Sequence, residues 1–280
     1  MGGGATVLRR EGLSELMRLD KFLAQSGIGN SKTVRIYIQD GKVKVNGQVV
    51  IKPAITINEN EDRVEYLDEK ISYMGKVYYM FNKPSGCVTA RRDNKYKTVF
   101  DFFKEENMNG VSHVGRLDKD TEGLLLFTND GELNNKLMSP LKHVDKKYFF
   151  IALGSLDEEC IDRLEQGVSI GVDEEITKPS KLEKVKSGIF KDFENESELI
   201  KVYNDSSNYY KQPAVSGYLT ISEGRKHQVK RMLKAVGCHV IYLKRISIGD
   251  LELDESLEKG QYRALEKSEI EKLLGKFDVS

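Results

Sequence analysis

Residues 115 to 133, GRLDKDTEGLLLFTNDGEL, gather Asp118, Asp120, Glu122 and Asp130 around a short polar loop that runs into the apolar stretch Leu124 to Phe127. A carboxylate can attack an electron-poor carbon or remove a proton from a carbon, and either role needs it ionised in a site emptied of water. A loop that enters a buried strand offers that group a rigid edge rather than a mobile tip. Asp118, with Arg116 and Thr121 beside it, is best placed. An aspartate that caps a turn is nevertheless the commoner use of such a residue. Composition alone does not separate Asp118 from its three acidic neighbours.

Several other chemistries lack their residues. Cys87, Cys160 and Cys238 are far apart and form no C-x-x-C pair, so neither a disulfide framework nor a zinc site is suggested. His113 and His143 have no evident partner, and no G-x-S-x-G turn is present for a serine hydrolase. No G-x-G-x-x-G or G-x-x-x-x-G-K-[ST] opens a helix, which disfavours a dinucleotide fold, a phosphate-loop fold and a methyltransferase with a glycine-rich cofactor loop.

The elements that must position Asp118 belong to a chain of 280 residues, long enough for two domains. At 39% hydrophobic residues it can build a sizeable core. No apolar run approaches the roughly 20 residues that span a bilayer, and the first residues lack the apolar stretch of a secretion signal, so the cytoplasm is the expected compartment. Residues 1–16 are glycine-rich and unpatterned and are set aside as an extension. The formal net charge is zero, yet it is unevenly spread. From Met17 to Lys52, seven cations (Arg18, Lys21, Lys32, Arg35, Lys42, Lys44, Lys52) face two acids. From Glu223 to Arg245, seven face Glu223 alone, and the tail from Asp250 is acidic. Local charge sets the field that a ligand meets, and two basic patches on a neutral chain fit an RNA partner.

Leu19, Phe22 and Leu23 recur at helical spacing up to Gly27, and Ser31 can cap a second helix through Val34 and Ile38. VKVNGQVV then predicts a hairpin turning at Asn46-Gly47, and the acidic stretch Glu59 to Lys70 reads as the end of this unit and a linker. From Lys76, a β-rich run at 77–90 with a Lys-Pro-x-Gly turn and strand patterns at 123–129, 147–153, 216–222 and 239–249 enclose helical stretches at 131–139, 157–167 and 227–237. Their mixed order predicts an α+β fold with a mostly antiparallel, mixed sheet and flanking helices. Residues 187–215 look like an insertion of loop character, with Tyr203, Tyr209 and Tyr210 among polar neighbours.

The segment MRLDKFLAQSGIGNSKTVRIYIQDGKVKVNG resembles the small RNA-binding domain named after ribosomal small-subunit protein four, here bounded as 17–72. That likeness implies that Arg18, Lys21, Lys32, Arg35, Lys42 and Lys44 lie along an RNA backbone, the bland alternative being an ordinary solvated basic helix pair. The motif GRLDKDTEGLLLFTNDG resembles the signature of RsuA-like pseudouridine synthases, which modify ribosomal RNA, and residues 73–280 are assigned to that catalytic domain. HVDKKYFFIAL, ISEGRKHQVKRMLKAVGCHVIYLKRISIG, NKPSG, TKPSKLE and KGQYRALEKSEI match in order. The resemblance implies Asp118 as nucleophile, Tyr148 as the ring stacking on the target base, and Lys230 as the cation that keeps Asp118 ionised. It also implies no cofactor and no metal. Such an enzyme must extrude its base, so Arg116 is the candidate to fill the vacated space, while Arg225, His227, Gln228 and Arg231 would hold phosphates and the flipped nucleotide. MRLDKFLAQ, MSP at 138–140 and TKPSKLE look more like the small-subunit members, implying a uridine in 16S rRNA, on naked RNA or an assembly intermediate, and a monomer. The alternatives are a large-subunit target and a non-catalytic ribosome-assembly factor.

Overall fold

The computed structural model describes residues 16–73, 75–104, 106–193 and 210–275. The N-terminal module opens with β1 (Leu16–Arg18), α1 (Leu19–Gln25) and α2 (Ser31–Gln39). The helix pair forms as its spacing predicts, burying Leu19, Phe22, Leu23, Val34 and Ile38 together with Val43, Ile57 and Val64. The cap of α2 falls one residue before Ser31: the Asn30 side chain accepts from the N–H groups of Lys32 and Thr33 and satisfies two otherwise orphaned donors. The hairpin of β2 (Val43–Val45) and β3 (Gln48–Val49) turns at Asn46 and Gly47, with φ of 51° and 79°. The stretch expected as a linker is strand instead. After β4 (Thr56–Asn58), which pairs with β1, come β5 (Val64–Tyr66) on β2 and β6 (Glu69–Lys70) on β5. One buried valine, Val64, anchors that strand among charges that mask its alternation. Residue 16 likewise belongs to the module, through β1.

The larger unit contains β7 (Tyr78–Lys83), β8 (Ser112–Val114), β9 (Glu122–Thr128), β10 (Lys146–Leu153), β11 (Ser180–Ile189), β12 (Pro213–Ile221), β13 (His239–Ile248), β14 (Leu251–Glu252) and β15 (Tyr262–Ala264). They form one sheet in the order β11-β12-β10-β13-β9-β7-β15, with β8 on β9 and β14 on β13. Only β9 and β13 run parallel; the other pairs are antiparallel. Helices α4 (Glu158–Gln166) and α5 (Gln228–Ala235) cover one face through Leu164, Met232 and Leu233. Helices α3 (Gly131–Met138) and α6 (Lys267–Gly275) cover the other through Leu133, Leu137, Ile270 and Leu273. Strand β9 is buried along its whole length, which explains its continuous GLLLF run in place of alternation.

The loop-like reading of residues 187–215 fails at both described ends. β11 continues to Ile189, Phe190 and Phe193 are buried in a short 3-10 turn, and β12 starts at Pro213. Tyr203 and Tyr209 lie outside the described residues, and Tyr210 meets the Phe190 ring edge-on.

Candidate active site

Asp118 stands in the turn between β8 and β9, and that turn is clamped by the NKPSG segment. Lys83 is fully buried, and its ammonium donates to the carbonyls of Pro84, Lys119 and Thr121 at 3.0, 3.2 and 2.9 Å. Burial pulls Lys83 below the usual lysine range against the pull of Cys87, Asp120, Glu122 and Asp118. The Gly86 N–H also donates to the Lys119 carbonyl (2.8 Å), and the Thr121 N–H closes onto the Asp118 carbonyl (3.1 Å). Thr89 bonds the Leu117 backbone twice, accepting from its N–H and donating to its carbonyl. Asp118 is therefore fixed from both sides before any substrate arrives. Gly123 then adopts a φ of 95°, and a Cβ there would run into the Arg245 carbonyl; the missing side chain lets β9 pair closely with β13.

The second half of the site is the start of α5. His227 takes a left-handed conformation and brings its Nε2 to 3.4 Å from Asp118 Oδ1. Lys230, one turn along, lies 3.7 Å from Asp118 Oδ2 and 2.5 Å from Asp120 Oδ1. Burial works to raise the Asp120 carboxyl, but the hydrogen bond and charge of Lys230 outweigh it and hold it below the ordinary range. The tight ion pair is thus with Asp120, a partner that spacing could not identify, while Asp118 sits between His227 and Lys230.

Asp118 faces a cavity of about 570 Å³, walled by Tyr148, Ile221, Val229 and Leu243 and rimmed by Arg116 and Lys226. That size suits a nucleotide-scale ligand. Tyr148 is nearly buried, lines the cavity, and its hydroxyl bonds to no other described residue.

Three residues expected on the nucleotide are bonded to protein groups around the start of α5. Gln228 is buried, donating to Glu223 and accepting from the Arg225 N–H. The Arg225 guanidinium is taken by Glu223 and the carbonyls of Glu175 and Ile176. Arg231 is held by Glu174 and the Ile170 carbonyl. All three are anchored to protein groups by two acids: Glu223, two residues before Arg225, and Glu174, which comes from the segment between α4 and β11. Sequence reasoning missed Lys83, Lys146 and Arg245, all buried, of which the last two line the cavity. The available signal was their place inside matched motifs, directly beside strand residues.

In the N-terminal module, Arg18 and Arg35 both bond Asp20, whose carboxyl stays below its usual range because these two bonds outweigh the upward push of burial. Arg18, Lys21 and Arg35 line a separate cleft of about 750 Å³ between module and catalytic unit, closed in part by the Lys21–Glu132 pair at 2.6 Å. Lys42 and Lys44 pair with Asp40 and Asp68, and Lys32 stands exposed on α2. No helix among the described residues is long and apolar enough to cross a membrane.

A nucleotide-sized cavity with an anchored carboxylate and a free tyrosine hydroxyl, beside an N-terminal module that carries a basic helix pair, is the arrangement of an RNA-modifying enzyme. The family model described as RNA pseudouridylate synthase matches residues 77–235, and the S4 domain model matches 17–62. An uncharacterized RNA pseudouridine synthase of Bacillus subtilis is 42% identical over 91% of this chain and 97% of its own length. Ribosomal small subunit pseudouridine synthase A of Haemophilus influenzae is 38% identical over 92% and 100%. Ribosomal large subunit pseudouridine synthase B of Bacillus subtilis is 35% identical over 91% and 95%. A crystal structure of a pseudouridylate synthase superposes with a TM-score of 0.59 at 36% identity, covering 92% of this chain and 99% of that one. The chain belongs to the RNA pseudouridylate synthase family, in its RsuA-like branch with an N-terminal S4 domain, and is a pseudouridine synthase.

Proposed function

We propose that this enzyme isomerises one uridine of ribosomal RNA, in the 16S molecule, with Asp118 as the reacting carboxylate. The observation that carries the reading is Asp118 itself, fixed by the turn beneath it, flanked by His227 and Lys230, and facing a cavity with room for a flipped nucleotide. Asp118 attacks the sugar carbon that bears the base, or removes the proton from the neighbouring sugar carbon; in both routes the C–N bond breaks with its electron pair on the ring. The ring turns and its carbon 5 bonds to the sugar, as the Asp118 carboxylate leaves that carbon in the first route or returns the proton to the neighbouring carbon in the second, and the proton lost from carbon 5 is balanced by one gained at the ring nitrogen. Atoms and charge are unchanged, so no redox partner is needed. Tyr148 supplies a face for the detached ring, a contact worth about 1–3 kcal/mol, and a hydroxyl that can take the carbon-5 proton. Lys230 keeps a positive charge beside the carboxylate, and Arg116 at the rim enters the space left by the flipped base. The S4 domain binds the RNA backbone through its basic helix pair.

Relatives named for the small subunit support a 16S target, as do the MRLDKFLAQ, MSP and TKPSKLE stretches. A large-subunit target is the second reading, favoured by the similarity to pseudouridine synthase B. Carbodiimide-dependent reverse-transcription stops across both rRNAs, in cells with and without this protein, test it. A stop lost from 16S rRNA on deletion and restored by the wild-type chain but not by Asp118→Asn is the expected result; a stop lost from the large-subunit RNA would move the substrate.

A further inference from the structure

The floor of the catalytic cavity carries two cations that the reading above does not use. Lys146 and Tyr148 leave β10 on the same side of the sheet, and Arg245 stands directly opposite Tyr148 on β13. Both cations line the cavity although they are only 7% and 2% exposed. The Arg245 Nε is spent on the Leu124 carbonyl at 2.8 Å, which locks the guanidinium in place, while its Nη2 is buried with no hydrogen-bond partner. The Lys146 ammonium donates to the Val144 carbonyl alone. Neither cation forms an ion pair among the described residues, although Asp145 adjoins Lys146 in sequence. Two like charges kept together under an apolar wall, without a balancing acid, are costly unless a ligand supplies negative charge.

We propose that Arg245 and Lys146 form an anion site for the carbonyl oxygens of the detached uracil ring. This deepens the reading of Asp118 as the reacting carboxylate and rests on it. When the bond to the sugar breaks, its electron pair stays on the ring nitrogen and spreads onto the two carbonyl oxygens, so the ring becomes an anion in a site closed to water. Fixed donors aimed at charge that develops only then are the most effective form of electrostatic catalysis. A phosphate is the less fitting occupant: a phosphodiester is held between two sugars and would have to reach two cations that are almost wholly buried, while Arg116 and Lys226 are exposed on the same cavity.

The test is equilibrium binding of free uracil, of 5-nitrouracil, whose ring is an anion at neutral pH, and of inorganic phosphate to the full-length enzyme. The nitrouracil anion should bind wild type roughly tenfold or more tightly than uracil, a preference that Lys146→Met and Arg245→Met erase and Arg245→Lys partly restores. Phosphate should compete with neither. In single-turnover assays Lys146→Met should slow isomerisation by about a hundredfold at unchanged RNA affinity. Equal binding of the two rings to wild type overturns the proposal, and so does a preference that survives in Lys146→Met, or phosphate competing for the site. Because Arg245 is buried and Arg245→Met can misfold, Lys146→Met, which removes a burdened charge, keeps the test decisive. Asp118→Asn should retain the anion preference with no turnover. An active Asp118→Asn enzyme would refute the carboxylate's role while leaving the ring-binding result to be read separately.

Discussion

The Lys230 ammonium stands 3.7 Å from the Asp118 carboxylate while Asp120 holds it at 2.5 Å. The cation is thus anchored by one acid and shared with Asp118, so its position does not depend on the substrate. Replacing the Asp118 carboxylate should separate binding from chemistry. Asp118→Asn is expected to bind RNA as tightly as wild type and to lose about a thousandfold or more in turnover, read as tritium release from uracil-5-labelled transcript.

The shared lysine makes Asp120 and Lys230 a coupled pair. Lys230→Met should cost about a hundredfold in single-turnover rate, and Asp120→Asn less than about tenfold, because the freed lysine can close on Asp118. A double variant no worse than Lys230→Met is the expected outcome of the cycle; strictly additive losses would show that Asp120 acts elsewhere.

Lys83 holds three carbonyls with one buried ammonium, and its loss strands all three. Lys83→Met should destabilise the enzyme by about 3 kcal/mol, measured by urea denaturation, because acceptors desolvated by folding no longer find a donor. Gly123→Ala should be harmful for a different reason: a φ of 95° and the Arg245 carbonyl leave no room for a methyl group, so β9 must withdraw from β13. Loss of folded protein on expression or a markedly lower melting temperature checks it.

Burial, then the Arg245 guanidinium, push Lys146 down to about 8, against a weaker upward pull from Asp145. The folded chain therefore binds this proton less well than the unfolded chain, whose lysine titrates near 10.5. The resulting penalty is complete below pH 8 and is relieved as pH rises from 8 toward 10.5, so stability climbs across that window on this account. The gap corresponds to roughly 3 kcal/mol. Lys146→Met should therefore raise the melting temperature at neutral pH and flatten its rise above pH 8, even as it slows the reaction. A melting temperature lowered at neutral pH would contradict the electrostatic account.

Lys32 is exposed on α2 and forms no ion pair among the described residues, unlike Arg18, Arg35, Lys42 and Lys44. Lys32→Ala should weaken RNA binding across all sequences and lower the salt slope by about one contact, with the rate at saturating RNA unchanged. Filter binding over a range of salt concentrations provides the measurement.

Much of this molecule is legible in its one-dimensional order. Helical spacing of Leu19, Phe22, Leu23, Val34 and Ile38 sets the first two helices, Asn46-Gly47 sets the hairpin, and the apolar runs at 123–129 and 147–153 become central strands because burial on the sheet demands them. The motif around Asp118 singled out the carboxylate that the fold places at the cavity between His227 and Lys230. Strand β5 stayed hidden because Val64 is one apolar residue among charges, and β11 because its burial alternates weakly, while β12 was legible at 216–222 but not at its start. What only the tertiary structure decided is which charge meets which. Lys230 turned to Asp120, His227 reached Asp118, Arg225 and Arg231 went to Glu223 and Glu174, and Lys146 and Arg245 met at the cavity floor. Electrostatic partners lie as far as 137 positions apart in the chain, and their pairing depends on strand order and on distances of a few ångströms, which local propensity does not encode.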